Sequence, residues 1–127
     1  MVKIEPGEDI IIKLTELGQF LDSAFFTGIG ALRSAALGYF DGTEYLRKEF
    51  VHPEYGYELL SLVGNITKLE ENTVVHCHAQ LSDRDYQVFG GHLFEGIVSV
   101  TAEIAVVPIA PAIQREKDAR TGLNLWP

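Results

Sequence analysis

Three of the four histidines in this 127-residue chain fall within seventeen residues. His76 and His78 flank Cys77, and His92 directly follows the glycine pair Gly90–Gly91. Side chains alternate between the two faces of a β-strand, so two histidines at this spacing point to one face. A glycine pair lets the backbone turn tightly and aim the third imidazole at the same place. Three neutral imidazoles can bind zinc and leave one coordination position for water. The pattern therefore predicts a metal site at His76, His78 and His92.

The spacing alone also allows a structural interpretation of the same residues. In that interpretation His76 and His78 lie on a half-exposed sheet face, and His92 is a loop residue that hydrogen-bonds to backbone. Cys77 alternates to the opposite face and is expected to be a small core residue rather than a ligand.

Glu103 is the first further candidate for a chemical role, ahead of Glu58, which precedes Leu59–Leu60 in a similar setting. Glu103 sits in an otherwise apolar segment, Ile97–Val107, where a carboxylate is either buried and paired or faces a cavity. Close to a metal it could orient a ligand imidazole or move a proton, which makes it the candidate catalytic residue. A cross-strand pairing with Lys or Arg explains it equally well. The sequence contains no nucleotide-binding glycine motif and no nucleophile elbow.

Composition narrows the class of protein. The length indicates a single domain, and the 46% hydrophobic content is ordinary for a soluble globular chain. A single cysteine rules out an internal disulfide. The start of the sequence carries no secretory signal pattern, so we expect a cytoplasmic protein. The apolar runs are too short to cross a membrane. A net charge of −8 disfavours binding to DNA phosphates.

The local patterns predict an α+β fold with one main helix. We expect a first strand over Asp9–Leu14, then a helix capped by Thr15 and ended by Gly28–Gly30. About seven strands in all should form a curved, mostly antiparallel sheet, because the connections between them are short. Asp41–Gly42 is the strongest hairpin signal. The later strands are predicted over Ala31–Phe40, Glu44–Val51, Tyr57–Ile66, Thr73–Leu81, Tyr86–Phe89 and Gly96–Val107.

The last seventeen residues are less regular. We divide the domain into a core over about 4–110 and a C-terminal strap over 111–127, in which Arg115–Leu125 forms either a short helix or a strap. Leu123, Leu125 and Trp126 would anchor this segment on its own domain or on a neighbouring subunit.

Several phrases, in this order and spacing, resemble the PPC (plants and prokaryotes conserved) domain family. They are Gly28–Leu32, Leu37–Asp41, Glu58–Ile66, His76–His78, Gly90–Leu93 and Thr101–Glu103. Among these motifs, Gly90–Leu93 is the one that is specific to the family when it occurs with the others. The resemblance covers roughly residues 4–125. It implies an α+β fold that assembles as a homotrimer. It also implies that His76, His78 and His92 match histidines at which some prokaryotic members look like metal binders.

The resemblance also bears on function. In plants the domain follows AT-hook segments that bind DNA, whereas prokaryotic members are usually the bare domain with unsettled activity. This chain has no AT-hook, so DNA binding is the least favoured function and nucleic acid is not an expected partner. We expect a stand-alone trimeric assembly or binding module with a zinc site. The alternative is a small zinc-dependent enzyme, of hydrolase or decarboxylase type, that uses metal-bound water.

Overall fold

Strands dominate the chain, and two of them are unusually long. The structure, a computed structural model, describes residues 1–52 and 54–127. Within that part the elements are β1 (Val2–Ile4), α1 (Ile10–Gly18), β2 (Ser23–Phe40), β3 (Tyr45–Val51), β4 (Tyr57–Leu69), β5 (Asn72–Ser82), β6 (Val88–Ile109), β7 (Glu116–Lys117) and β8 (Asn124–Leu125). The predicted α+β class with one helix and a mostly antiparallel sheet is confirmed.

Six strands form one antiparallel sheet in the order β1-β6-β5-β4-β2-β3. Because β6 also pairs with β2, the strands β2, β4, β5 and β6 close into a ring. β1 and β3 lie at the two ends of the strand order. The pairing of β5 with β6 covers His78–Ser82, the second half of β5. The small strands β7 and β8 make a separate two-stranded sheet in the C-terminal segment.

The core fills the inside of this ring. Phe26, Leu62, Ile66, Leu81 and Ile104 are among its fully buried side chains. They alternate with outward-facing residues along their strands, as the period of two requires. Such a small closed sheet has room inside only for side chains, so any ligand site must lie on its outside.

Cys77 belongs to this core, as predicted. Its side chain is 2% exposed, and burial raises the pKa of its thiol to about 12. The thiol therefore stays protonated and unreactive at neutral pH. This also confirms that the neighbours of Cys77 on β5 point outward.

The predicted strand over Asp9–Leu14 is wrong, because this segment forms the helix α1. Asp9, not Thr15, is the N-cap, and its Oδ1 accepts a hydrogen bond of 2.9 Å from the backbone N–H of Ile12. Its Oδ2 accepts a second bond of 3.1 Å from the N–H of Gly96 on β6. A run of isoleucines locally favours a strand. The cap and the burial of one helical face against the sheet stabilise the helix by more than that local preference favours a strand.

The predicted helix end at Gly28–Gly30 is also wrong, since these residues lie inside β2. A Cβ added at Gly28 would stand 2.8 Å from the carbonyl oxygen of Glu103. Glycine is therefore needed for the close approach of β2 and β6 rather than for a chain turn. A register shift between Gly28 and Gly30 makes this a bulge in the pairing of β2 with β4.

The hairpin predicted at Asp41–Gly42 is confirmed, and it joins β2 to β3. Asp41 Oδ1 accepts bonds of 2.8 and 2.9 Å from the N–H groups of Thr43 and Glu44, while Gly42 has a φ of +102°. Glycine tolerates that left-handed conformation without strain. The predicted strand Gly96–Val107 and the second half of the predicted strand Tyr86–Phe89 belong to the single strand β6. Tyr86 and Gln87 precede that strand, and Tyr86 has a φ of +62°.

The C-terminal segment crosses the end of β4 as a strap and contains no helix among its residues 111–127. The N–H of Lys68 bonds to the carbonyl of Ile113 at 3.0 Å, and the N–H of Arg115 bonds back to the carbonyl of Lys68 at 2.8 Å.

Among the residues that the structure describes, no helix is long and apolar enough to span a membrane.

Candidate metal centre

The three histidines converge because of the register between β5 and β6. His92 lies directly opposite His78, and His76 precedes His78 by two residues on the same face. The imidazole centroids are 5.2 to 5.7 Å apart. One nitrogen of each ring lies within 4.8 Å of the others. The structure thus brings together all three residues predicted to be metal ligands.

These distances suit a single metal ion. In a tetrahedral zinc site with bonds of roughly 2.0–2.1 Å, ligand nitrogens are about 3.4 Å apart. The three nitrogens lie within 4.8 Å of one another, so a bound metal would draw the imidazoles closer together. His78 is exposed, so one side of the cluster is open to solvent or to a bound molecule.

The electrostatics of the cluster keep its imidazoles ready for a cation. Burial, together with the neighbouring His76 and His78, lowers the pKa of His92 to about 4. Burial also lowers the pKa of His76, helped by the charge of Arg115 and by His78. A neutral imidazole has a free lone pair for a metal. His92 Nδ1 is moreover buried without a hydrogen-bond partner in the described chain. The donor set therefore fits a divalent metal such as zinc.

The glycine pair before His92 has a different role from the one predicted. Gly90–Gly91 does not form a turn, because both residues lie inside β6. A Cβ at Gly91 would stand 2.6 Å from the carbonyl oxygen of Gly38 on β2. The pair thus allows β6 to lie close against both neighbouring strands, and His92 is a strand residue rather than a loop residue.

Aromatic rings hold His92 in place. The ring of Tyr45 packs against it with a centroid distance of 4.9 Å, and the ring of Phe94 does so at 4.6 Å. Tyr45 and Phe94 also contact each other edge to face at 5.2 Å. This packing limits the rotamers of His92, so part of the ordering cost of metal binding is already met.

A mostly apolar cavity opens beside the histidines. It has a volume of about 560 Å³ and reaches His76, His78 and Trp126. Its walls come from β2, β4, β5, β6 and the C-terminal segment. The size lies within the range of about 300–1,000 Å³ usual for small-molecule sites. Of the three predicted C-terminal anchors, Trp126 is therefore a wall of this cavity.

Glu103 lies away from the cluster within one chain. It is eleven residues beyond His92 on β6, about 36 Å along an extended strand. It is exposed rather than buried, and with Glu58 it lines a separate groove of about 450 Å³. Lys3 stands directly opposite in the register, but its ammonium group contacts Glu5 at 2.9 Å. The expectation that Glu103 sits next to the metal is thus not met within a single chain.

Arg115 is a residue near the cluster that the sequence did not point to. It is 6% exposed, and its Nε donates to Thr67 Oγ1 at 2.7 Å. Its Nη1 donates to the carbonyl of Asn124 and its Nη2 to Asn65 Oδ1, both at 2.8 Å. An isolated arginine in an irregular tail carries no signal of this kind. Only the packing of the tail on β4 brings it to the histidines.

Several solved protein structures are similar to this architecture. A 34% identical protein of Archaeoglobus fulgidus, named a metal-containing protein, superposes with a TM-score of 0.87 and covers 98% of this chain and 89% of that one. A PPC protein of Pyrococcus horikoshii is 31% identical, with a TM-score of 0.88 over 99% of this chain and 88% of the other. A protein of Bacteroides thetaiotaomicron, named as a candidate DNA-binding protein, is 26% identical, with a TM-score of 0.91 over 98% and 88%.

No curated protein matches the chain. The family model of the Plants and Prokaryotes Conserved domain, in contrast, matches residues 1–110, which include all three histidines and the whole closed sheet. The chain therefore belongs to the Plants and Prokaryotes Conserved domain family (abbreviated PCC or PPC), the family that its sequence resembles.

Proposed function

We propose that this protein is a metal-binding module that holds one zinc ion per chain on His76, His78 and His92. The observation that carries the proposal is the convergence of three nitrogen donors within 4.8 Å. One of these imidazoles has a pKa of about 4, and its Nδ1 is buried without a partner in the described chain. Burying an unpaired polar atom is costly, so a metal ligand role explains what packing alone does not.

The choice of zinc follows from the donor type. Imidazole suits zinc, copper, iron and nickel, whereas magnesium and calcium prefer oxygen ligands. Three histidines with an open side match the ligand set of zinc sites that keep a position for water. The Archaeoglobus relative, which is named a metal-containing protein, supports a metal of this kind in the family.

We further propose that the module is a homotrimer in the cytoplasm. Its outer sheet face exposes apolar residues that a monomer leaves in water: Ile29, Leu60, Val100 and Val107. Ile29, Leu60 and Val100 line one groove, which makes them part of one patch. Two further copies of this chain would bury such patches in a closed ring. A single buried, reduced cysteine suits a reducing compartment.

Light scattering on a sizing column tests the assembly. The expected mass is about three times the 14.1 kDa of the chain. A Val100→Glu variant should shift it towards the monomer, because a charge would be buried in the contact. A monomer at micromolar concentration in the wild type would contradict the trimer.

The second candidate function is a small zinc-dependent enzyme of hydrolase or decarboxylase type. The cavity of about 560 Å³ beside His76 and His78 favours it, since a purely structural metal needs no such space. Zinc bound there would supply a Lewis acid and an activated water. Within a single chain, Glu103 lies too far from the histidines to act as the proton-transfer group. Glu103 could reach the site only if it came from a neighbouring subunit.

Binding to duplex DNA is the least supported function. The net charge is −8, and Arg115 is the one Lys or Arg among the described residues that line the cavities around the histidines. We expect duplex binding no tighter than the non-specific range of about 10⁻⁴ M at physiological salt. A fluorescence anisotropy titration that gave micromolar affinity and a steep salt dependence would overturn this expectation.

Elemental analysis decides the metal site itself. Protein purified without an affinity His-tag should contain about one zinc per chain. His78→Ala and His92→Ala should lose it, whereas His52→Ala should retain it. His52 is the matched control because its Nδ1 already accepts a bond from the Tyr55 N–H. Unchanged zinc in both triad variants would refute the site.

The same samples separate the module from the enzyme. Zinc-loaded protein is screened on simple esters and β-keto acids, and any turnover is retested after a chelator. Turnover that is lost with the metal and in Glu103→Gln supports the enzyme. Absence of turnover on every substrate favours the module.

A further inference from the structure

Arg115 is a buried cation without an acidic partner. The side chain is 6% exposed, and the ion pairs found within 4.0 Å in residues 1–52 and 54–127 do not include it. Its three hydrogen bonds go to neutral oxygens of Thr67, Asn124 and Asn65. A guanidinium has five N–H donors, so one on each Nη is left without a protein acceptor. Buried charges are normally paired, which leaves the positive charge of Arg115 to be explained.

Arg115 lies beside the histidine cluster. Arg115 and His76 jointly line two small cavities of about 260 and 230 Å³, and His92 also lines the smaller one. Arg115 is close enough to contribute to the lowered pKa of His76. The larger of these cavities shares Asn65, His76 and Trp126 with the cavity of about 560 Å³. The two cavities are therefore neighbours that meet at these three residues, and Arg115 lines the one nearer the C-terminal segment.

This space lacks negative charge. The residues that line the three cavities include no Asp or Glu among those the structure describes. A divalent metal on the histidines would add a second positive centre beside Arg115. Two cations in a partly dry site are both stabilised by one anion placed between them. A carboxylate fits this need, because its two oxygens can contact a metal and a guanidinium together.

The remaining walls indicate what the anion is attached to. The cavity of about 560 Å³ is lined chiefly by the apolar side chains of Ala24, Phe25, Val63, Ile109, Ile113 and Trp126. Such walls stabilise a small apolar body and offer little to a sugar or a nucleotide. Inorganic anions would leave this cavity unfilled.

We propose that this site binds a small organic monocarboxylate, with the carboxylate between Arg115 and His76 and the apolar body beside Trp126. The proposal rests on the proposed function for the metal beside the carboxylate. The contact with Arg115 requires no metal, so the two ideas fail separately. Arg115 is a binding residue in this arrangement, and Trp126 sets the size of the apolar group.

The test titrates isovalerate into zinc-loaded and chelator-treated protein. Binding is followed by calorimetry and by the fluorescence of Trp126, the one tryptophan of the chain. We expect saturable binding of isovalerate, and at least about tenfold weaker binding of isovaleramide, which has the same shape without the charge. Acetate and inorganic phosphate should bind more weakly than isovalerate because they lack the apolar body.

Variants assign the charge to Arg115. Arg115→Gln should weaken isovalerate binding by about 10- to 100-fold with and without zinc. Arg120→Gln is the matched control on the same segment, since Arg120 is exposed and already pairs with Asp118 at 3.1 Å. Circular dichroism checks that each variant is folded. If Arg115→Gln does not fold, Trp126→Ala and the acid–amide comparison in the wild type still test the proposal.

Each outcome has a defined meaning. Folded, zinc-loaded wild type that does not bind isovalerate at about 10 mM, or binds the amide equally well, overturns the carboxylate site and leaves the metal site intact. Binding that depends on Arg115 in protein that never takes up zinc supports the carboxylate site and refutes the metal. A trimer that dissociates in Arg115→Gln, together with no isovalerate binding, would show that a carboxylate of a neighbouring subunit pairs with Arg115, which also overturns the proposal.

Discussion

Replacing Gly91 by alanine tests how the third histidine is positioned. The added Cβ would stand 2.6 Å from the carbonyl oxygen of Gly38. A carbon and a carbonyl oxygen normally stay more than about 3.2 Å apart, so β6 or β2 must move by about 0.6 Å. The obstacle is backbone in a paired strand, which cannot turn aside as a side chain would. His92 follows directly, so the movement is passed to the metal ligand.

The size of the effect can be estimated from this contact. Overpacking typically costs about 1–3 kcal/mol, and a backbone obstacle favours the upper part of that range. Alanine also restricts the unfolded chain, which offsets about 0.4–1 kcal/mol. We expect a net loss of about 2 kcal/mol in the free energy of unfolding, or a Tm lower by roughly 4–10 °C. Zinc affinity should fall at least about tenfold, which corresponds to about 1.4 kcal/mol.

Gly96→Ala is the matched control on the same strand. Its Cβ would meet only side-chain carbons, Leu32 Cδ1 at 3.3 Å and Leu93 Cδ2 at 3.5 Å. Flexible side chains can give way by these amounts, so the control should keep its Tm and its zinc. Both variants are compared by thermal unfolding at one protein concentration and by competition with a zinc-sensitive dye. If Gly91→Ala matched Gly96→Ala in both measurements, close approach of the strands would not be what positions His92.

Three further predictions concern other parts of the fold. The metal-free protein should lose stability as the pH falls from 6.5 towards about 4, because buried His92 stays neutral while the same residue in the unfolded chain takes up a proton. Urea midpoints measured across this range should fall less steeply in His92→Phe than in the wild type, and equal slopes in the two proteins would contradict the assignment. Asp9→Ala should cost about 1–2 kcal/mol in urea unfolding because the cap of α1 is lost, and Asp9→Asn should recover part of it, whereas equal stability of all three proteins would argue against a capping role. Cys77 should react with a thiol reagent only after denaturation, since burial raises its pKa to about 12; rapid labelling of the native protein would show that β5 opens.

Much of the sheet is visible in the sequence because its signals are local. The hairpin at Asp41–Gly42 depends on residues that adopt the turn by themselves. The predicted strand Thr73–Leu81 agrees with β5 to within one residue at each end, since alternation along a half-buried strand needs no knowledge of its partners. The same alternation placed His76 and His78 on one face and Cys77 on the other.

The helix α1 shows where local signals fail. A run of β-branched residues after Asp9 favours an extended chain in isolation. The fold instead buries Ile10 and Leu14 on one helical face and ties Asp9 to the N–H of Gly96, eighty-seven residues away. The free energy from such distant contacts is larger than the intrinsic preference of a short segment.

For the metal centre, too, local sequence patterns predict some features and tertiary packing decides the others. Period two on a strand was enough to pair His76 with His78, and composition was enough to make DNA an unexpected partner. The strand register that sets His92 opposite His78, the displacement of Glu103 to a separate groove and the burial of Arg115 beside the histidines all depend on how distant segments pack. Arg115 bonds to residues forty-eight and fifty positions earlier in the chain. No pattern within a short window contains that information, because only closing the sheet brings those segments together.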